Sequence, residues 1–131
     1  MIKVNYINAS FVQLLLVISF LFISGCSINT VFSIEENPDP SLNNTCILSG
    51  YISDRETKEM LLGANILLDD GQYSTFTDFD GFFLFKNVLP GSYKVTTKVS
   101  GYRTYSISDV RLRDNYKYKL NIELLSDMQP L

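Results

Sequence analysis

The chain has 131 residues, a formal net charge of −3 and no histidine. Because histidine is the commonest general base and the commonest zinc ligand, its absence excludes His-based catalytic triads and His-ligated zinc hydrolases. Lysine and arginine are scattered along the sequence, which argues against a basic surface for nucleic acid. The length suits one small domain behind a targeting segment.

The first 25 residues have the pattern of a secretory signal peptide. Residues 1–10 are short and polar with Lys3, and residues 11–23 form an apolar run interrupted only by Gln13 and Ser19. This run is shorter than the roughly 20 residues that span a bilayer, but it suits the hydrophobic region of a signal peptide. We therefore expect residues 1–25 to be removed.

The apolar run ends in Ile23-Ser24-Gly25-Cys26, which resembles the lipobox of bacterial lipoproteins. The resemblance implies cleavage before Cys26, a diacylglyceryl thioether on its sulfur, and acylation of the new N-terminus by a fatty acid such as palmitate. More than one acyl chain gives stable membrane anchoring, since each buried methylene contributes about 0.8 kcal/mol. The alternative is an ordinary signal peptide or an uncleaved anchor with an incidental cysteine, which leaves a Cys26–Cys46 disulfide open.

Residues 26–44 are rich in Ser, Asn, Pro and acidic side chains and lack periodicity, so we predict a flexible tether. Asn43-Asn44-Thr45 matches a glycosylation sequon, which in a bacterial lipoprotein is better explained as a chance triplet. Cys46 begins the next apolar segment, and its neighbours favour a small buried hydrophobic residue over a reactive thiol.

Residues 45–126 are predicted to form an all-β domain, with residues 127–131 as a C-terminal tail. In residues 116–124, apolar Tyr, Leu and Ile alternate with Lys, Asn and Glu, which predicts a strand with one face on a core. Gly-containing turns separate the apolar segments, as is typical of antiparallel hairpins in two packed sheets. Six further strands are predicted at residues 46–53, 64–68, 72–77, 82–88, 92–99 and 102–110.

Five motifs follow one another along this domain: Gly50-Tyr51-Ile52-Ser53-Asp54, Leu62-Gly63-Ala64-Asn65-Ile66, Thr77-Asp78-Phe79-Asp80-Gly81-Phe82-Phe83, Leu89-Pro90-Gly91-Ser92-Tyr93 and Ser100-Gly101-Tyr102. Their order resembles the carboxypeptidase-regulatory-like domain over about residues 47–125. The resemblance implies a seven-stranded antiparallel sandwich of the transthyretin-like, Greek-key type with Phe83 and Phe85 in its core. It also implies an accessory module without catalytic residues, a cofactor or a metal ion of its own.

Phe79, Phe82 and Leu84 form a candidate interaction surface. If Phe83 and Phe85 face the core, strand alternation turns Phe82 and Leu84 outward, and Phe79 lies in the turn just before them. An exposed apolar patch beside a strand edge can dock a partner or accept an added strand. The alternative is a patch covered by a loop or by the tether.

Two other groups of side chains suggest ligands. The aspartates at positions 78, 80, 69 and 70 could contribute to a calcium site, but they lack the further oxygen ligand and distal Glu of an EF-hand loop, and the resembled family uses such residues to shape a turn. Several tyrosines could stack on a glycan, although the chain has no Trp. These tyrosines are Tyr51, Tyr73, Tyr102, Tyr105, Tyr116 and Tyr118.

The sequence therefore predicts a non-enzymatic lipoprotein in the envelope of a Gram-negative bacterium, anchored in the outer membrane, whose domain binds an envelope protein or has a structural role. The alternative is a component of an outer-membrane uptake system that captures a glycan or a peptide.

Overall fold

The computed structural model describes residues 32–128. The predicted signal peptide and Cys26 lie outside the described residues, as does the last part of the predicted tail. Within residues 32–128, no helix is long and apolar enough to cross a membrane. The eight strands are β1 (Phe32–Pro38), β2 (Cys46–Asp54), β3 (Asn65–Leu68), β4 (Tyr73–Phe76), β5 (Phe82–Val88), β6 (Gly91–Lys98), β7 (Tyr105–Leu112) and β8 (Tyr116–Leu124).

The strands form two four-stranded sheets. Sheet A has the order β1-β8-β2-β5, and sheet B has the order β4-β3-β6-β7. Neighbouring strands are antiparallel, except that β2 and β8 at the centre of sheet A are parallel. The prediction of an all-β sandwich is confirmed, with an eighth strand and one parallel pair added.

One hydrophobic core lies between the sheets. Alternate residues of β2 and β8 are buried, as the period-two pattern predicts. Phe83 and Phe85 of β5 are buried and lie edge to face, with ring centroids 6.1 Å apart, so their predicted core positions are confirmed. Cys46 is fully buried, and its thiol donates to the Val88 carbonyl at 3.3 Å. This burial confirms that Cys46 is a small core residue, and it raises the pKa of the thiol to about 11.

Strand β1 contradicts part of the predicted tether. Residues 32–38 pair antiparallel with β8 along their whole length. Glu36 accepts a hydrogen bond from the guanidinium of Arg113, and the carboxylate of Asp39 lies 2.5 Å from the ammonium of Lys117. The flexible-tether prediction is therefore wrong for these residues. The polar composition reflects an edge strand in water, and its partner lies far away in sequence.

Gly50 lies where β2 approaches the backbone of β8. A β-carbon there would be 2.6 Å from the carbonyl carbon of Leu120 and closer still to its oxygen. Close by, the side-chain oxygen of Asn121 accepts the backbone N–H of Tyr51 at 3.1 Å. The central pair of sheet A therefore requires glycine at this position.

The two ends of the sandwich are built from different segments. One end, which we call the loop end, comprises residues 55–64, 77–81, 99–104 and 125–128. It also holds the start of β1, because Phe32 lies opposite Ile122 near the end of β8. The opposite end, which we call the far end, comprises residues 39–45, 69–72, 89–90 and 113–115 and holds the end of β1.

Candidate interaction surfaces

The outer face of sheet A carries Phe82 and Leu84, as strand alternation predicts. Phe82 lies opposite Tyr51, and Leu84 lies opposite Ser49. The rings of Tyr51 and Phe82 are tilted with centroids 5.3 Å apart, and the ammonium of Lys119 lies 5.9 Å from the Tyr51 ring. Tyr51, Phe82 and Leu84 are half-buried. We call these three residues the aromatic face.

The aromatic face borders a strand edge. β5 is the last strand of sheet A and pairs with β2 on one side. Within residues 32–128, no strand pairs with its other side, although Asp78 occupies both backbone groups of Phe82: its N–H donates to the Phe82 carbonyl at 2.9 Å, and its carboxylate accepts the Phe82 N–H at 3.0 Å. An open edge next to apolar side chains has the chemistry to receive an added strand.

Phe79 lies at the loop end and not on the aromatic face. It occupies the turn between β4 and β5, and its side chain is 87% exposed. Gly81 completes this turn with φ of +70°, and a β-carbon at Gly81 would lie 2.7 Å from the carbonyl oxygen of Ile52. The three residues of the predicted interaction surface are thus divided between a sheet face and the adjoining end.

The aspartates considered for calcium lie at opposite ends of the sandwich. The Asp78 carboxylate accepts the backbone N–H groups of Asp80 and of Phe82, the first residue of β5, each at 3.0 Å. Asp69 accepts the backbone N–H of Lys94 at 2.7 Å, and the ammonium of Lys94 lies 3.5 Å from Asp70. Among the described residues, no three acidic or cysteine side chains converge as metal ligands would. The aspartates shape turns instead.

Most of the candidate glycan-stacking tyrosines contribute to the core or to its borders. Tyr118 is buried. Tyr102 donates a hydrogen bond to the carboxylate of Asp54 at 2.9 Å. The pKa of Asp54 is lowered mainly by the hydrogen bond from the backbone N–H of Thr57 and next by the one from Tyr102. Tyr51 is the candidate that stands on an outer sheet face beside another aromatic ring. The other candidates pack against the core: Tyr73, Tyr102, Tyr105 and Tyr116.

A groove that the sequence analysis missed lies between β1 and β7, the edge strands of the two sheets. Its volume is about 260 Å³. Phe32 and Ile34 of β1 line one side, Ile107 and Val110 of β7 line the other, and Leu120 also lines it. We call it the side groove. No local pattern could have shown it, because it exists only when β1 joins sheet A.

The sequence model of the carboxypeptidase regulatory-like domain family matches residues 47–125. Two similar solved structures are chains of type II cohesin–X-dockerin complexes from Acetivibrio cellulolyticus, a C-terminal and an N-terminal interface mutant. Their identities are 24% and 25% and their TM-scores are 0.53 and 0.52, and each match covers 61% of this chain and 56% of the other chain.

A third similar structure is a proposed carbohydrate binding protein from Bacteroides uniformis. It is 12% identical with a TM-score of 0.51, over 69% of this chain and 43% of the other. The chain therefore spans about half the length of these three structures, and the likeness concerns the fold. No curated protein is significantly similar to the chain in sequence.

Proposed function

The chain belongs to the carboxypeptidase regulatory-like domain family, and we propose that it is a non-enzymatic interaction module held in a bacterial cell envelope by acylated Cys26. The sequence Ile23-Ser24-Gly25-Cys26 supports the lipid anchor. The proposed location is the outer membrane of a Gram-negative bacterium. The family match and the likeness to chains of cohesin–dockerin complexes support a binding role.

The observation that carries the proposal is the aromatic face beside the open edge of β5. Phe82 and Leu84 are on the same face of β5, and their side chains are only half-buried. A partner strand paired with β5 would use backbone hydrogen bonds for affinity and alternate apolar side chains for specificity. Lys86 is exposed farther along the same strand. The proposed partner is an extended segment of an envelope protein with alternating apolar side chains and an acidic residue that reaches Lys86.

A crosslinking experiment on membranes tests both parts of this proposal. Full-length protein is expressed in a Gram-negative host with a crosslinker present, and mass spectrometry identifies the Cys26 modification and the crosslinked proteins. We expect acylated Cys26 and one dominant partner. Leu84→Arg should abolish the crosslink, because a charge would replace the apolar contact. Leu89→Arg is the matched control, since Leu89 is exposed at the far end, and this variant should retain the partner.

The possible results separate the anchor from the binding surface. Unmodified Cys26 in the soluble fraction would refute the lipid anchor. A dominant partner captured equally by wild type and Leu84→Arg would show that binding uses another surface, of which the side groove is the first to examine.

A second candidate function is glycan capture for an uptake system. The Tyr51–Phe82 pair offers two adjacent aromatic rings on an outer sheet face, and aromatic rings in proteins have an apolar body that can pack against a sugar. Affinity electrophoresis with a panel of polysaccharides should then show retardation that Tyr51→Ala removes. Equal mobility in all polysaccharide gels would refute this function.

A further inference from the structure

Exposed apolar side chains concentrate at one end of the sandwich. Among residues 32–128, eight large hydrophobic side chains are exposed; five of them lie at the loop end, and Phe76 is the last residue of β4, directly before it. Ile34 borders the side groove, and Leu89 lies at the far end. Clustered exposed apolar groups mark protein or membrane contacts, whereas isolated ones need no explanation. The five at the loop end are Met60, Leu62, Phe79, Leu125 and Met128.

Hydrogen bonds hold the segments that carry these side chains in place. The hydroxyl of Thr77 donates to the Leu61 carbonyl at 2.5 Å, and the N–H of Gly63 donates to the Thr77 carbonyl at 3.1 Å. These contacts join the loop that carries Met60 to the turn that carries Phe79. Met60 and Phe79 are therefore displayed by backbone segments that are tied to each other, so less conformational entropy is lost when they bind.

The chain that leads to Cys26 leaves the sandwich at this same end. β1 begins at Phe32 beside the end of β8. Five residues lie between Cys26 and Phe32, and the six residue-to-residue steps of a fully extended chain span at most about 20 Å. Because β1 is paired with β8, the connection between Cys26 and the sandwich is much shorter than a tether that continued to residue 44.

This short connection restricts how the domain can face an anchored Cys26. The nine residues of β8 rise about 3.3 Å each and span roughly 30 Å between the two ends. Phe32 lies opposite Ile122, six residues along β8 from Tyr116, so it stands roughly 20 Å from the start of β8 and farther from the far-end loops. If the far end faced the membrane, the connection would have to be fully extended along the whole domain. The short connection therefore favours an orientation in which the loop end, or a flank adjoining it, faces the surface that holds Cys26.

The charges of the loop end indicate the type of lipid surface that it fits. Its loops carry more acidic than basic residues, and two of the aspartates flank Phe79. Anionic headgroups would repel such a surface at low ionic strength, whereas zwitterionic headgroups would not. The basic residues are Arg55, Lys58 and Arg103, and the acidic residues are Glu56, Glu59, Asp78, Asp80 and Asp127.

We infer that the loop end docks on a zwitterionic phospholipid bilayer, with Phe79 and Met60 at the boundary between headgroups and acyl chains. This inference rests on the proposed function, because acylated Cys26 supplies the main anchor and sets the orientation. The docked domain would stand on its loop end, with the aromatic face and the side groove turned sideways and accessible to a partner.

A tryptophan reporter tests the docking directly, because the natural chain has no Trp. Full-length acylated Phe79→Trp is reconstituted into phosphatidylcholine vesicles that contain lipids with a nitroxide near the top of the acyl chain. The matched control is Leu89→Trp at the far end. We expect a shift of emission to shorter wavelength and strong quenching for Phe79→Trp, and neither for Leu89→Trp. Added phosphatidylglycerol should weaken the quenching at low salt.

Flotation and mass spectrometry distinguish failure of the inference from failure of the anchor. Acylated protein that floats with vesicles but shows equal quenching for both variants refutes loop-end docking and retains the anchor. Unmodified Cys26 without flotation refutes both. If the emission shift of Phe79→Trp requires an added envelope protein, the loop end binds a protein partner. If the shift grows with protein concentration in the absence of vesicles, the loop end binds a second copy of the chain. Either result also refutes the inference.

Discussion

Replacing Gly50 with alanine is the most direct test of the packing at the centre of sheet A. The added β-carbon would lie 2.6 Å from the carbonyl carbon of Leu120, whereas carbon atoms pack at about 3.5–4.0 Å. β2 and β8 must therefore separate by at least roughly 1 Å, because the carbonyl oxygen of Leu120 is closer still, and such a gap loses a quarter to a half of the affected dispersion contacts.

The cost of this separation has two parts. Overpacking a well-packed interior costs about 1–3 kcal/mol. Each weakened hydrogen bond of the β2–β8 pair adds about 1 kcal/mol. The free energy of unfolding should fall by at least about 3 kcal/mol, a large part of the 5–15 kcal/mol typical of a domain.

Urea denaturation followed by far-UV circular dichroism measures this loss. With a urea dependence of about 1–3 kcal/mol per molar, the midpoint should fall by roughly 1–3 M. The matched control is Gly91→Ala, whose β-carbon would come no closer than 3.4 Å to Tyr93. That variant should stay within about 0.5 kcal/mol of wild type. Equal midpoints for Gly50→Ala and Gly91→Ala would refute the close approach of β2 and β8.

Three further changes test the core and the attachment of β1. Phe83→Ala should cost about 3–5 kcal/mol, because it leaves a large cavity; a melting temperature near that of wild type would remove Phe83 from the core. The thiol of Cys46 should resist a thiol reagent at neutral pH until denaturant exposes it, since burial raises its pKa to about 11; rapid labelling of native protein would contradict its burial. The pKa of Asp39 is lowered from 3.8 to about 2, mainly by the contact with Lys117 and further by hydrogen bonds from Ser41. The stability that this carboxylate contributes is therefore present above its pKa in the unfolded chain, and it is lost as the pH falls from about 4 through about 2. Asp39→Asn should therefore flatten the pH dependence of the unfolding midpoint in that window, and an unchanged slope would argue against the Lys117 contact.

The strands from Cys46 onward could be predicted because their signals are local. In β8, alternate residues face the core and water, so a period of two in the sequence records the pleat directly. The turn before β5 is also local, since Asp78 bonds to N–H groups two and four residues away. The core positions of Phe83 and Phe85 came from the family resemblance, because residues 82–85 are apolar on both faces and alternation alone does not choose between them; that of Cys46 came from its apolar neighbours.

The interaction surface could be predicted only in part. Alternation correctly turned Phe82 and Leu84 outward, but it could not show that Phe79 belongs to a different surface with Met60 and Leu62. Those residues lie in separate loops, and they come together because both loops pack over the same end of the sandwich. The Tyr51–Phe82 contact likewise depends on the register between β2 and β5.

The sequence by itself determined an all-β sandwich, its turns, most of its core and the family. Only the tertiary structure decided that residues 32–38 are β1, because an edge strand exposed to water has no core pattern and depends on distant partners. Glu36 and Arg113, which help to hold it, are 77 residues apart. That pairing shortens the connection to Cys26, creates the side groove and gives the domain a defined end toward the proposed anchor.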